Sequence, residues 1–397
     1  MKTKHLMTVL TAVATLTVSA AETTETMMDA TETISGMTDD MSVTGTTETK
    51  GVKEITLPAW IQNIKLSGYG MLQYQGIDKK DAETNSFNLR LMRLILDGKI
   101  GNFDWRVQIQ GTNVKGPGEP TVQLVDLYAE WRKYPEFKVR AGQFKRAFTY
   151  ENPTHPITQG WFSYAQVINN LSGFGDRTGE KSSGGRDIGI QLSGDLFPNA
   201  AGRRLFHYQV GVYNGEGINE KDKDNKKDII GGVWVMPIAG LRIGCFGWTG
   251  TRGDMTMKYL DNTFTYKGSV RKNRYALSVE YDKDEYTFRA EYLHSQGWGA
   301  AKAGNNVREV DYSLGDKADG FYAFGIVPVI KSKLHAKARY NLYRERKEWG
   351  TSKTYYEIGA NYYFTKNLQL NFEYARVNER ATHDNYNFVD VELDFRF

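Results

Sequence analysis

Strict alternation constrains this chain more than any other feature. Residues 387–397 read NFVDVELDFRF. Val389, Val391, Leu393, Phe395 and Phe397 fall on one parity, and Asp390, Glu392, Asp394 and Arg396 on the other. Side chains of a β-strand alternate between its two faces, so one face here is wholly apolar and the other wholly charged. A soluble sandwich strand meets that pattern with a core on one side and water on the other. A barrel strand in a membrane meets it with lipid outside and an aqueous lumen inside.

The rest of the chain decides between the two. Sixteen amphipathic segments follow one another at about 64–76, 86–100, 103–113, 121–133, 137–149, 186–197, 204–215, 229–238, 241–251, 273–283, 286–297, 319–330, 333–346, 354–365, 368–380 and 387–397. Lengths near ten residues suit a tilted membrane-crossing strand. The links sort by parity. After even segments they are short, as at Gly101-Asn102, Asp284-Glu285 and Lys366-Asn367. After odd segments they are longer and polar, and the link at 150–185 is the longest. A barrel with turns at one rim and loops at the other requires that sorting, whereas a sandwich has no reason for it. Closure follows, because an open sheet edge in hydrocarbon leaves backbone groups unpaired at several kcal/mol each. The fold class read here is all-β, a 16-stranded antiparallel transmembrane β-barrel. A lumen of that width is expected to hold water.

Composition agrees. Mean hydropathy is −0.54, which excludes a bundle of membrane helices and leaves a barrel untouched, because only alternate residues face lipid. Aromatic residues make up 13% of the chain, with 24 Tyr, enough to build girdles at both membrane interfaces. Cys245 is the single cysteine, so neither an intramolecular disulfide nor a cysteine-rich zinc site can form.

Three regions are expected. Residues 1–21 read as a signal peptide: Lys2 and Lys4, an apolar run, then small residues at 18–21. Residues 22–56, rich in Thr, Glu, Asp and Met, read as a disordered periplasmic extension. Residues 57–397 form the barrel domain. The net charge of +4 conceals an asymmetry: residues 1–56 hold four basic and eight acidic residues, so the remainder carries +8. No dense Lys/Arg run is present, and nucleic acid is not an expected partner.

Phasing the early strands with apolar residues outward assigns Lys65, Arg93, Lys99, Arg106, Arg132, Lys138 and Arg140 to the lumen, on one wall. Lys145 follows Gly142, where a bulge leaves its phase open. Arg90 and Arg146 fall toward the outer rim. The bland alternative for each cation is an ion pair with a neighbouring acid. Lumenal acids lie partly among these cations (Asp97, Asp104, Asp126 and Glu130) and partly on later strands (Glu280, Glu291, Glu357, Glu373, Asp390, Glu392 and Asp394), so a transverse field across the lumen and weak filtering by charge are expected. The 150–185 link, third on its rim, carries Trp161, Tyr164, Arg177 and Lys181, and is too apolar to be solvated slack.

Two resemblances sharpen the reading. A clean amphipathic C-terminal strand carrying Phe395 and ending on Phe397 resembles the outer-membrane barrels of Gram-negative bacteria. That resemblance implies recognition by the barrel-assembly machinery, and outer-membrane lipid and lipopolysaccharide as surroundings. FNLRLMRLILDGKIG (87–101) and FKVRAGQFKRAF (137–148) resemble strands two and five of the phosphate-selective porin O/P family, with Ala147 where that family commonly has Pro. This resemblance implies a 16-stranded homotrimer with both termini periplasmic, an inward-folded third loop, and basic lumenal residues that bind small anions, phosphate among them.

The resulting expectation is a porin for passive diffusion of small hydrophilic solutes, with a modest anion preference and no cofactor, metal or catalytic residue. Three alternatives stand beside it. An oligosaccharide channel would need an aromatic row, for which Tyr69, Tyr128, Tyr213 and Trp234 are candidates. A barrel enzyme has His294-Ser295 as its one hint. An adhesin would place function in the outer loops. The KDKDNKKD run at 221–228 lacks the central Gly and terminal Glu of a calcium loop.

Overall fold

The computed structural model describes residues 64–112, 121–181, 184–259, 264–301 and 307–397. The expected signal peptide and acidic extension lie outside them. The first half of the barrel holds β1 (Lys65–Ile77), β2 (Thr84–Ile100), β3 (Phe103–Gly111), β4 (Val122–Tyr134), β5 (Phe137–Lys145), β6 (Arg186–Pro198), β7 (Arg204–Tyr213), β8 (Asp228–Val235) and β9 (Leu241–Thr249). A hairpin of β10 (Thr251–Tyr259) and β11 (Phe264–Arg271) stands apart from it. The barrel resumes with β12 (Asn273–Lys283) and β13 (Tyr286–Gln296). A two-residue ladder of β14 (Gly299–Ala300) and β15 (Val310–Asp311) intervenes. The last barrel strands are β16 (Lys317–Ile330), β17 (Leu334–Arg344), β18 (Ser352–Thr365), β19 (Leu368–Glu379) and β20 (Asp384–Arg396).

Sixteen of these strands close a barrel in chain order, every neighbour antiparallel, with β20 paired to β1. The alternation read from the sequence sets the two faces. Outward positions such as Phe87, Leu89, Ile190 and Ile358 are exposed, whereas Glu357, Glu373, Asp390, Glu392 and Asp394 are buried on the inward face. An exposed apolar belt around a polar interior reverses the order of a soluble protein and suits a lipid surround.

The seam depends on two glycines. Gly68 and Gly70 lie on the outer face of β1, opposite Phe397 and Phe395. A Cβ on Gly70 would lie 2.4 Å from the Phe395 ring, and one on Gly68 would lie 2.4 Å from the Phe397 ring. The aromatic rings thus cover bare backbone where the first and last strands meet. At the opposite extreme of local need, Asp284 and Glu285 both have positive φ (54° and 72°), the two-residue turn that matches strand twist.

The third loop leaves the wall at Lys145 and returns at Arg186. Gly142 (φ 130°) permits the departure, because a Cβ there would lie 2.2 Å from the Leu127 carbonyl oxygen. β5 therefore ends at Lys145, earlier than the expected residue 149. Within the loop a short helix α1 (Gln166–Leu171) buries Val167, Ile168 and Leu171. These side chains join Tyr164, Trp161, Tyr322, Phe324 and Tyr343 in one apolar cluster. Since Tyr322, Phe324 and Tyr343 point inward from β16 and β17, the loop packs inside the barrel.

Candidate functional site

The loop is held against the later strands by hydrogen bonds to its own backbone. Lys337 donates to the Gly160 carbonyl (2.7 Å) and Arg339 to the Ser163 carbonyl (2.9 Å). Glu291 accepts from the backbone N–H groups of Tyr150 (2.8 Å) and Glu151 (2.9 Å), and Glu373 from that of Phe162 (2.6 Å). The Asn341 side chain accepts from the Gln166 N–H, serving the first turn of α1. The same cations pair with acids of neighbouring strands: Lys337 with Glu373 (2.7 Å) and Arg339 with Glu357 (2.6 Å). The Trp161 indole lies over both, 4.8 Å from Lys337 and 4.5 Å from Arg339. Removing one member of such a buried pair costs about 3–5 kcal/mol, so the loop is clamped at several points.

The loop base is a second buried ionic network. Arg146 bridges Glu180 (2.5 Å) and Asp187 (2.7 Å). Lys272 bonds Asp228 (2.5 Å), and Arg274 bonds Asp176 (2.5 Å). Burial opposes ionisation of Asp176, but the Arg274 guanidinium prevails and holds that carboxyl well below the usual range. Arg177 donates to the carbonyls of Gly297, Leu314 and Gly315 and pairs with Glu345, tying the loop to its neighbours on the long-loop rim. Lys181 pairs with Glu220 (2.9 Å). Trp161, Arg177 and Lys181 therefore support the loop, whereas Tyr164 also reaches its open side.

That open side faces β1 and β2 across a cavity of about 560 Å3. The strands contribute Gln73, Gln75, Ser86 and Asn88, and the loop contributes Ser163, Tyr164 and Asn169. Arg90 also lines the cavity; it bonds Glu392 (2.5 Å) and the Phe162 carbonyl. It lies with Thr84, Ser86 and Asn88 toward the long-loop end of β2, and its side chain points inward. In the β1–β2 register Met71 pairs with Leu91 and Leu72 with Leu89, so Arg90 is an extra, bulged residue. The bulge lets Arg90 and Arg93, three apart, both point inward while Phe87, Leu89, Met92 and Leu94 keep the lipid face.

Lys145 lies beside the cavity. Its ammonium bonds the Asn152 carbonyl (2.6 Å) and sits 5.0 Å from the Tyr164 ring and 4.7 Å from that of Phe174. Arg93 bonds Gln110 (2.8 Å) and lies 5.8 Å from the Tyr69 ring. Neither cation is ion-paired among the described residues. Arg186 holds Asp126 in a two-pronged pair at 2.6 and 3.1 Å.

The other early cations take the bland role. Arg106 pairs with Asp97 (2.7 Å), Arg132 with Asp104 (2.5 Å), Lys138 with Asp195 (2.6 Å) and Arg140 with Glu130 (3.0 Å). Lys99 is exposed at the short-turn end of β2. Arg146, expected at the outer rim, lies buried in the loop base. The acids of the later strands are occupied too. Glu280 takes Arg242 and Arg289; Glu357 and Glu373 take the cations named above. Glu392 takes Arg90, whereas Glu291, Asp390 and Asp394 accept from backbone, amide and hydroxyl groups, so ion pairing reduces the expected transverse field without covering every acid. Sequence reading missed Arg274, Arg289, Lys337 and Arg339. Their strand parity was the available signal, since Lys337 and Arg339 alternate with Ala336, Ala338 and Tyr340.

The candidate aromatic row does not line up. Tyr69 stands near His155, Tyr128 and Tyr213 flank Phe144, and Trp234 stacks on His207. The ring of His294 lies near that of Tyr275, while Ser295 next to it has the opposite strand parity and is buried. In the 221–228 run, Asp222 and Asp224 lie close to Glu216, but Lys227 and Arg308 already compensate those charges.

The profile of the family described as phosphate-selective porin O and P matches residues 65–229, from the start of β1 into β8. Both segments that carry the resemblance fall inside that match. No curated protein sequence matches the chain. Among solved structures, an anion-selective porin from Comamonas acidovorans is similar at 13% identity and a TM-score of 0.61, covering 84% of this chain and 99% of its own. The OmpF porin of Salmonella typhi, in complex with daunomycin, is similar at 12% identity and a TM-score of 0.56, over 84% and 98%. OprB of Pseudomonas putida follows at 9% identity and a TM-score of 0.56, over 85% and 95%. At such identities the likeness speaks for the fold.

Proposed function

We propose that this outer-membrane porin, a channel for passive diffusion, favours anions at a constriction formed by its third loop. The observation that carries the reading is that Lys145, beside the cavity, and Arg93 are not ion-paired among the described residues, with Arg186, which bonds Asp126 and the Gly184 carbonyl, opposite Lys145 in the β5–β6 register. Cations that lack a carboxylate partner at a narrow point leave a net positive potential for a passing anion, while paired charges elsewhere cancel within about a Debye length of 8 Å. The Lys145 ammonium lies 3.5 Å from the hydroxyl of Tyr164, which lines the cavity, and Arg93 supplies a fork suited to oxyanions.

The remaining parts of the reading rest on chain geometry and family likeness. The chain enters and leaves the barrel at the short-turn rim, which we assign to the periplasm, with residues 1–21 a signal peptide and 22–56 a periplasmic extension. A homotrimer, surrounding lipopolysaccharide and recognition of the Phe395–Phe397 strand by the assembly machinery belong to the same proposal.

The test is block by inorganic phosphate. In planar bilayers at fixed chloride, added phosphate should reduce the single-channel current in a saturable way. Lys145→Met should raise the half-blocking concentration about tenfold, the effect of losing one charge-assisted contact. Phosphate that leaves the current unchanged, or blocks the variant equally, would remove Lys145 from the account.

A further inference from the structure

The cavity beside Lys145 carries more information than an inorganic anion needs. Gln73 and Gln75 both donate their amide nitrogens to Asp390, at 2.6 and 3.3 Å. Asp390 is 1% exposed and sits behind them. That orientation turns the nitrogens toward the wall; the Gln73 oxygen accepts from the Asn88 side-chain nitrogen at 3.5 Å, and the Gln75 oxygen is left for the cavity. Asn169 behaves alike: its nitrogen donates to the Tyr164 carbonyl (3.1 Å), and its oxygen has no partner among the described residues. Ser86 and Asn88 bond each other at 3.1 Å. The one charged residue of the lining, Arg90, gives its charge to Glu392.

Amide oxygens turned to the cavity, as at Gln75 and Asn169, accept hydrogen bonds from hydroxyl groups. Tyr164 joins these acceptors to the cation, since it lines the cavity while its ring lies 5.0 Å from the Lys145 ammonium. Phe162 adds apolar surface on the loop side. A solute that satisfies both parts has an anionic end for Lys145 and a hydroxylated body for the amide oxygens. A solute without the hydroxyls leaves acceptors desolvated and unpaired, which is how a hydrogen-bonding site rejects an analogue.

We infer that the channel binds hydroxylated organic anions, molecules that pair one carboxylate or phosphate with a polyhydroxylated chain or ring, in the cavity between β1–β2 and the third loop. This inference rests on the anion reading above and names its solute class. The test compares three probes of similar length: gluconate, hexanoate and sorbitol. Each is added to single channels of the full-length protein in planar bilayers, and the half-blocking concentration is read.

Gluconate should block at about one tenth the concentration of hexanoate, and sorbitol more weakly than either. In Gln75→Leu and, separately, Asn169→Leu, the gluconate-to-hexanoate ratio should move toward one; two variants guard against a single misassembled barrel, and heat-modifiable mobility checks each. Equal potency of gluconate and hexanoate in the native channel would overturn the inference and leave the anion reading standing. Sorbitol as potent as gluconate, with neither affected by Lys145→Met, would overturn both.

Discussion

At the scale of single residues, function divides between cations that pair and cations that do not. Arg106, Arg132, Lys138 and Arg140 spend their charge on acids one strand away, while Arg93 and Lys145 do not. Parity placed most of these side chains inward from the sequence. It could not say which acid each would meet, because register and bulges fix that, and the Arg90 bulge is invisible to a period-two reading. Glu151 shows what else sequence hides. It lies on the loop, buried between Arg339, Arg289 and Glu291, and its side chain accepts from the Ala165 N–H at 3.2 Å. Burial raises its carboxyl to about 7 against the opposing pull of Arg339 and Arg289, and Glu291 adds to the rise. A raised acid favours its neutral form in the packed state. Its contribution to loop anchoring is therefore full below the ordinary carboxylate range and is lost as pH rises through about 7. Open-channel current noise should grow between about pH 5 and about pH 8, and Glu151→Gln should abolish the growth. Noise that is flat with pH in the native channel would refute this role for Glu151.

At the scale of elements, the strands were legible and the loop contacts were not. Each barrel strand carries its own period-two signal, so its place follows from local sequence, and the longest links, such as 146–185, share one rim. The hairpin β10–β11 in the 252–272 link escaped, because strands outside the membrane need no lipid face. The loop's path also escaped in detail. Its anchors Glu291, Lys337, Arg339 and Glu373 lie more than a hundred residues from their loop partners. Gly320 exposes the packing logic, for a Cβ there would lie 2.8 Å from Val167 of α1 and 2.5 Å from the Leu342 carbonyl. Gly320→Leu should push α1 off the wall while the barrel still assembles, since the strand pairing of β16 extends well beyond that point on both sides. The expected readout is an altered single-channel conductance, by about a factor of two or more, with native heat-modifiable mobility. Native conductance in this variant would mean that α1 does not depend on the β16 contact.

At the scale of the whole molecule, the chain builds a lipid-facing cylinder whose interior is largely neutralised by its own ion pairs. On the proposed reading, selectivity belongs to the constriction beside Lys145 more than to the net charge of the barrel. Strand phasing put the early cations on one expected wall, most of which pair with acids, and the third loop folds inward, as family likeness implied. It could not find the amide-lined cavity, which exists only once β1, β2 and residues 162–169 come together. The most direct measurement is the zero-current potential of the purified channel across a planar bilayer under a KCl gradient. The account predicts stepwise conductance with a potential displaced toward the chloride equilibrium value, and a displacement reduced in Arg93→Gln and Lys145→Met. A potential displaced toward the potassium value, or one unchanged by both substitutions, would contradict it.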